Sequence, residues 1–423
     1  DAGFSNVTTP ADTSAFNSGN TIKYQTQSAL TNGVTYWWRA RARDPGGSIS
    51  WSNYSTPFSF TIDTATNISV WYQTTGEQFS TNDNVDIETV AGGAQVTSVV
   101  TGVMSAYAIG TAQAPQYRTW NGSSWSTPSS ADNVGAQIRW TRLKAAPTRP
   151  EYALATLGTD LDVNIQIYDA IAESWSNMFE IVDNATESTK RRYDIAYETV
   201  SGKLMAVACT GNDAVYATWD GSAWSATTTL DLTKAADCEW VQMASDPISN
   251  EIIAVFRHLN TGTTDYEAFV WNGSSWGNSN RFGDVSANTN EGMVIEYEES
   301  GGQAVLALPN GTVNMPWKSW NGSTWSATST VALGNVMTWG SLKRDEGTDR
   351  MALCYVDADS DVGIVPWTGS AFGAFTEVTI TGNGSTGLPV DCEFQTTQGT
   401  DGDVIMAYSD TVAGRYQTYS FTT

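Results

Sequence analysis

Among 423 residues there is a single histidine, His258, and there are only four cysteines and 21 lysines and arginines. The lone imidazole excludes HExxH and other paired-histidine metal sites. The few basic residues face 45 aspartates and glutamates, giving a formal net charge of -24 that repels nucleic acid and anionic lipid headgroups. No apolar run approaches the ~18 residues that cross a bilayer, so no direct membrane insertion is expected. The chain opens at Asp1 without the charged, apolar and small-residue succession of a signal peptide, so its start is expected to lie after processing or inside a longer protein. Apolar residues nowhere recur at the spacing of an amphipathic helix.

What the chain has instead is 18 Trp, 17 Tyr and 13 Phe set among Thr, Ser, Gly and Asn, a composition suited to short strands and tight turns. Trp-(Asn/Asp)-Gly-Ser-x-Trp occurs at Trp120–Trp125, Trp219–Trp224, Trp271–Trp276 and Trp320–Trp325, with a weaker copy at Trp367–Phe372. Tyr168 and Trp175 mark a further unit, so the closing aromatics recur every ~50 residues. Each string reads as a β-hairpin with Asn-Gly or Asp-Gly in a two-residue turn that pairs Trp120 with Ser123 and sets both indoles on one face. There they pack neighbouring repeats together, or else stack on a ligand.

Upstream of each turn lie three strand-like runs, clearest at Tyr193–Glu198, Leu204–Cys209 and Ala214–Trp219, which makes four strands per unit. First strands are expected near Gly93, Ile138, Tyr193, Cys238, Met293, Met337 and Cys392. The expected fold is all-β: a seven-bladed β-propeller of four-stranded antiparallel blades over residues 63–423. The last unit stops after its third strand, and Ile68–Phe79 is expected to supply the fourth and close the ring.

Residues 24–62 carry Leu30, Tyr36-Trp37-Trp38-Arg39-Ala40-Arg41-Ala42, Trp51-Ser52 and Phe58-Ser59-Phe60-Thr61. This resembles the last strands of a fibronectin type III domain, with Leu30 and Tyr36 at the spacing of its tyrosine corner. The resemblance covers about one seventh of the chain and implies a spacer or binding module. A complete sandwich needs ~90 to 100 residues, so 1–62 is expected to be a partial domain, completed upstream or by a strand from another chain.

Candidate site residues follow from the propeller reading. Arg139, Asp194, Glu239 and Glu393 fall at aligned positions near one mouth of the central channel, with Asp237 and Asp391 two residues earlier in their strands, a partly acidic rim for a cation or sugar hydroxyls. Asp357, Asp359 and Asp361 are candidate calcium ligands, although the glycine and distant glutamate of an EF-hand loop are missing. No other cofactor is implied: Gly382–Gly387 spells GxGxxG but precedes Leu388-Pro389 rather than a helix. Cys209 with Cys238 and Cys354 with Cys392 are placed for disulfides between repeats, the alternative being buried free thiols.

These features point to a non-catalytic extracellular or cell-surface adhesion protein that binds a glycan or a surface protein. A second reading is a filament or sheath subunit that self-associates, or accepts a donated strand, through residues 1–62. A third is a sialidase-like glycosidase, since Gly122 to Trp125 resembles that family's Asp-box turn, with Trp120 standing where the box has aspartate.

Overall fold

The structure, a computed structural model, describes residues 35–38, 52–56, 58–61, 85–89, 103–120, 124–259, 264–283, 290–345, 348–379, 389–394, 403–409 and 414–420. The chain divides into two compact units, Asp1–Glu77 and Gln78–Thr423. In the first, β1 (Thr35–Trp38) pairs antiparallel with β2 (Phe58–Thr61), setting Tyr36 opposite Phe60. The remaining residues that carry the fibronectin resemblance, the expected boundary after 62 and the segment Ile68–Phe79 lie outside the described residues, apart from 52–56.

In the second unit the described residues form six four-stranded antiparallel sheets and one three-stranded sheet, each laid down in chain order. Sheet 1 runs from β3 (Val85–Thr89) through β4 (Val103–Tyr107) and β5 (Gln116–Trp120) to β6 (Ser129–Ser130). Its first strand therefore precedes Gly93, near which the repeat spacing placed it. Sheet 2 comprises β7 (Ile138–Ala145), β8 (Glu151–Gly158), β9 (Val163–Asp169) and β10 (Ser174–Val182). Sheets 3, 4, 5 and 6 begin with β11 (Tyr193–Tyr197), β15 (Cys238–Ser245), β19 (Val294–Tyr297) and β23 (Met337–Arg344). Sheet 7 holds β27 (Val390–Phe394), β28 (Asp403–Ser409) and β29 (Gly414–Ser420).

First strands of consecutive sheets pack against one another in series from β3 to β27. Trp140, Trp240 and Trp339, from sheets 2, 4 and 6, also meet: the first two rings lie 5.5 Å apart and the last two 5.8 Å, both edge to face. A straight stack cannot bring alternate sheets into contact, so the row curves about an axis lined by first strands. The tryptophans fill that axis. Each follows a one-residue register slip, between Ile138 and Trp140, Cys238 and Trp240, and Met337 and Trp339. A bulge of this kind re-aims a side chain, and here it turns the indole inward.

Second strands are covered on both faces, so Tyr152–Leu157, Leu204–Cys209 and Ile252–Phe256 are apolar almost without alternation. The repeated turns fold one residue out of the expected register. Trp120 pairs with Trp125, Trp219 with Trp224 and Trp320 with Trp325. Asp220 donates its N–H to Ala223, leaving Gly221 (φ +97°) and Ser222 as the two turn residues. Glycine at the first of two central positions is the type II′ solution, and the Asp220 carboxylate accepts the N–H groups of Ser222 and Ala223. The two aromatics remain on one face, now as a direct cross-strand pair.

Candidate functional site

Both predicted disulfide pairs are bonded, joining sheet 3 to the start of sheet 4 through Cys209–Cys238 and sheet 6 to sheet 7 through Cys354–Cys392, with Cα separations of 5.8 and 6.3 Å. The six rim residues do not share one level. Counting back from the hairpin that ends each first strand, Asp194 aligns with Arg142 rather than with Arg139, because odd-numbered sheets lack the bulge that shifts Arg139, Glu239 and Thr338 outward.

Asp194 is fully buried and accepts from Arg142 at 2.9 Å, with Arg191 at 3.4 Å and the Met243 N–H at 2.8 Å. Burial alone would push its carboxyl up, but Arg142 and Arg191 hold it below the usual carboxylate range. Glu239 is buried between Lys190 and Arg257, and Asp237 is clamped by Arg192 at 2.7 and 3.0 Å. Arg139 is exposed at the outer end of β7. Asp391 and Glu393 flank Lys343 at 3.6 and 3.8 Å; both side chains reach water although protein surrounds them. Three of the rim acids, Asp194, Glu239 and Asp237, are thus already bound by the protein's own cations.

Asp357 accepts the N–H groups of Asp359 and Asp361 at 3.0 and 2.9 Å, which makes it the cap of its own turn. Among the described residues no group of three or more acidic, histidine or cysteine side chains is arranged to hold a metal ion. His258 sits at a strand end but is buried, with Nδ1 3.0 Å from the Ala236 carbonyl and Nε2 3.3 Å from Glu267. A cavity of about 320 Å3 beside it is lined by Thr233, Glu267, Ser279, Asn280 and Arg281.

The interfaces between sheets share a device that residue spacing had not revealed. In sheets 3 to 6 the last tryptophan of the third strand donates its indole N–H to a glutamate of the preceding sheet. These pairs are Trp219 to Glu151 (3.1 Å), Trp271 to Glu198 (2.6 Å), Trp320 to Glu251 (2.7 Å) and Trp367 to Glu298 (2.7 Å). Each acid occupies one of two facing positions in the hairpin between first and second strands, since the Ala146 N–H donates to the Glu151 carbonyl and the Glu198 N–H to that of Lys203. Indole and carboxylate satisfy each other where the indole is buried and the acid is buried or, at Glu251, half-buried. Burial pushes the Glu251 and Glu298 carboxyls up, against the hydrogen bonds they accept.

At the first interface the device is missing on both sides. Tyr168 stands where sheets 3 to 6 have tryptophan, and the stretch 90–102 that joins the first two strands of sheet 1 contains no Asp or Glu. Tyr117 from sheet 1 meets Tyr168 and Trp175 of sheet 2 at 5.5 and 5.4 Å, and Tyr152 lies 6.3 Å from Tyr168. Beside them opens a groove of about 200 Å3 lined by Tyr117, Tyr152, Tyr168, Thr119, Ser126, Ser129 and the exposed Glu173. Burial, then the neighbouring Tyr117 and Glu173, push the Tyr168 phenol up, so it stays a donor across the physiological range. The buried Trp175 indole N–H has no acceptor among the described residues.

No family model matches the chain, and no curated protein matches it. Among solved structures it is similar to the BP39L lectin from Burkholderia pseudomallei, with a TM-score of 0.58 at 9% identity over 80% of this chain and 96% of that one. The fold is a β-propeller. At that identity the likeness speaks for the fold alone. The Aleuria aurantia lectin, described as a six-bladed β-propeller with a fucose recognition mode, aligns at a TM-score of 0.40 with 11% identity over 70% of this chain and 95% of that one. The SapL1 lectin, bound to α-methyl fucoside, aligns at 0.41 with 16% identity over 67% and 92%. Scores that low carry no argument about this propeller.

Proposed function

We propose that the propeller is a non-catalytic carbohydrate-binding protein whose site is the groove between sheets 1 and 2. The observation that carries this reading is the groove's chemistry: three phenol rings, two of them packed on the Trp175 indole, beside hydroxyls of serine and threonine, at an interface without the tryptophan–glutamate pair. Sugars present apolar C–H faces to aromatic rings and hydroxyls to polar groups, and sites that bind them combine both. Similarity to a lectin fold accords with it.

Glycoside hydrolysis uses two carboxyl groups flanking the scissile bond, whereas one carboxylate, Glu173, lines this groove. On this reading the seven sheets are seven blades of one ring, closed by Ile68–Phe79 as the outer strand of the last. The fibronectin-like segment is then a spacer, and two disulfides fit an extracellular or cell-surface setting. The test is a glycan array probed with the full chain. Saturable binding to a defined set of glycans is expected, and a blank array at high protein concentration would sink the proposal.

A further inference from the structure

Resting on that reading, we infer that the groove takes a single neutral pyranose unit, with Tyr168 the residue that makes room for it. Space comes first. In sheets 3 to 6 the position of Tyr168 holds an indole fixed by a carboxylate from the preceding sheet. Sheet 1 offers no such acid in 90–102, and the smaller phenol leaves the cleft open. A volume of about 200 Å3 lies below the ~300–1,000 Å3 of pockets that enclose drug-sized molecules, which suits one sugar ring rather than a run of them.

Charge then narrows the class. No Lys or Arg lines the groove among the described residues. Glu173 stands at the opening of a protein whose net charge is -24, so sialylated, sulfated or uronic sugars are repelled. A neutral ring seats its apolar face on Tyr117, Tyr152 and Tyr168, leaving its hydroxyls to Thr119, Ser126, Ser129 and Glu173.

The experiment pairs the array with calorimetric titration of neutral and anionic methyl glycosides into wild type, Tyr168→Trp and Glu173→Lys. Array hits should end in neutral sugars. Tyr168→Trp should weaken binding by about tenfold or more while the melting midpoint holds, because four sister interfaces accommodate tryptophan there. Glu173→Lys, an exposed change that leaves the fold intact, should admit anionic sugars that wild type rejects. Hits confined to anionic glycans, or wild-type affinity in Tyr168→Trp, would overturn the inference and leave carbohydrate binding standing. Absence of any binding overturns both.

Discussion

Two kinds of interface hold the propeller's sheets side by side. Between sheets 2 and 6 every junction is closed by an indole reaching back to a buried or half-buried glutamate, and aromatic pairs such as Phe179 on Trp224, stacked at 4.7 Å, pack beside it. The first junction keeps the aromatic rings but loses both members of that hydrogen bond, and there a groove opens. The same hairpin thus serves packing at the four junctions where donor and acceptor are both present, and borders a recess at the first, where both are absent. On the proposed reading, stability and recognition fall to different copies of one repeat.

The largest way to break this contrast is to remove a latch acid. Glu251→Ala strips the acceptor from both Trp320 Nε1 and the Tyr297 hydroxyl, which sit 2.7 and 2.8 Å from it. Two buried donors left unpaired should cost about 4 kcal/mol in denaturant unfolding, whereas Glu251→Gln, which keeps an acceptor, should cost about 1 kcal/mol or less. An equal loss in both variants would show that the hydrogen bonds are not what matters. Next comes reduction of the disulfides that staple sheets 3 to 4 and 6 to 7. Cys354→Ser with Cys392→Ser should lower stability by about 3 kcal/mol and leave glycan affinity unchanged, since neither cysteine touches the groove.

Acid sharpens the contrast further. Burial would raise the Glu187 carboxyl, but hydrogen bonds from Thr189, Arg192 and Lys190 hold it at about 2. Its folded value lies below the unfolded one, so its contribution is present above about pH 4.5 and is lost as pH falls toward 2. The side chain is 31% exposed and screened, so Glu187→Gln should flatten acid unfolding in that window by about 1 kcal/mol. Glu251 and Glu298 are displaced upward instead, so mild acid favours the folded state at the latches. Melting curves between pH 7 and 3 on the two glutamine variants should therefore diverge in opposite directions.

Much of this architecture was legible in the sequence because the Gly-Ser turns recur and strand alternation around them is short and regular. The runs Tyr193–Glu198, Leu204–Cys209 and Ala214–Trp219 sit on β11 and on the strands that follow it in sheet 3. The rim was misaligned because a one-residue bulge is invisible in spacing, and only alternate sheets carry one. The latch acids escaped notice since they alternate between two facing hairpin positions, Glu151 and Glu251 at one and Glu198 and Glu298 at the other. A 100-residue period, shared by Trp140 and Trp240 and by Tyr197 and Tyr297, was the available signal. The groove was legible only as a departure from the tryptophans of sheets 3 to 6, Tyr168 standing in their place in sheet 2.

A crystal structure of the protein soaked with the neutral methyl glycoside that binds most tightly addresses the central claim directly. Sugar density against Tyr117, Tyr152 and Tyr168, with the later interfaces closed by their tryptophan–glutamate pairs, is the predicted result. Density at the axis near Asp391 and Glu393, or at a latched interface with the first groove empty, would contradict it.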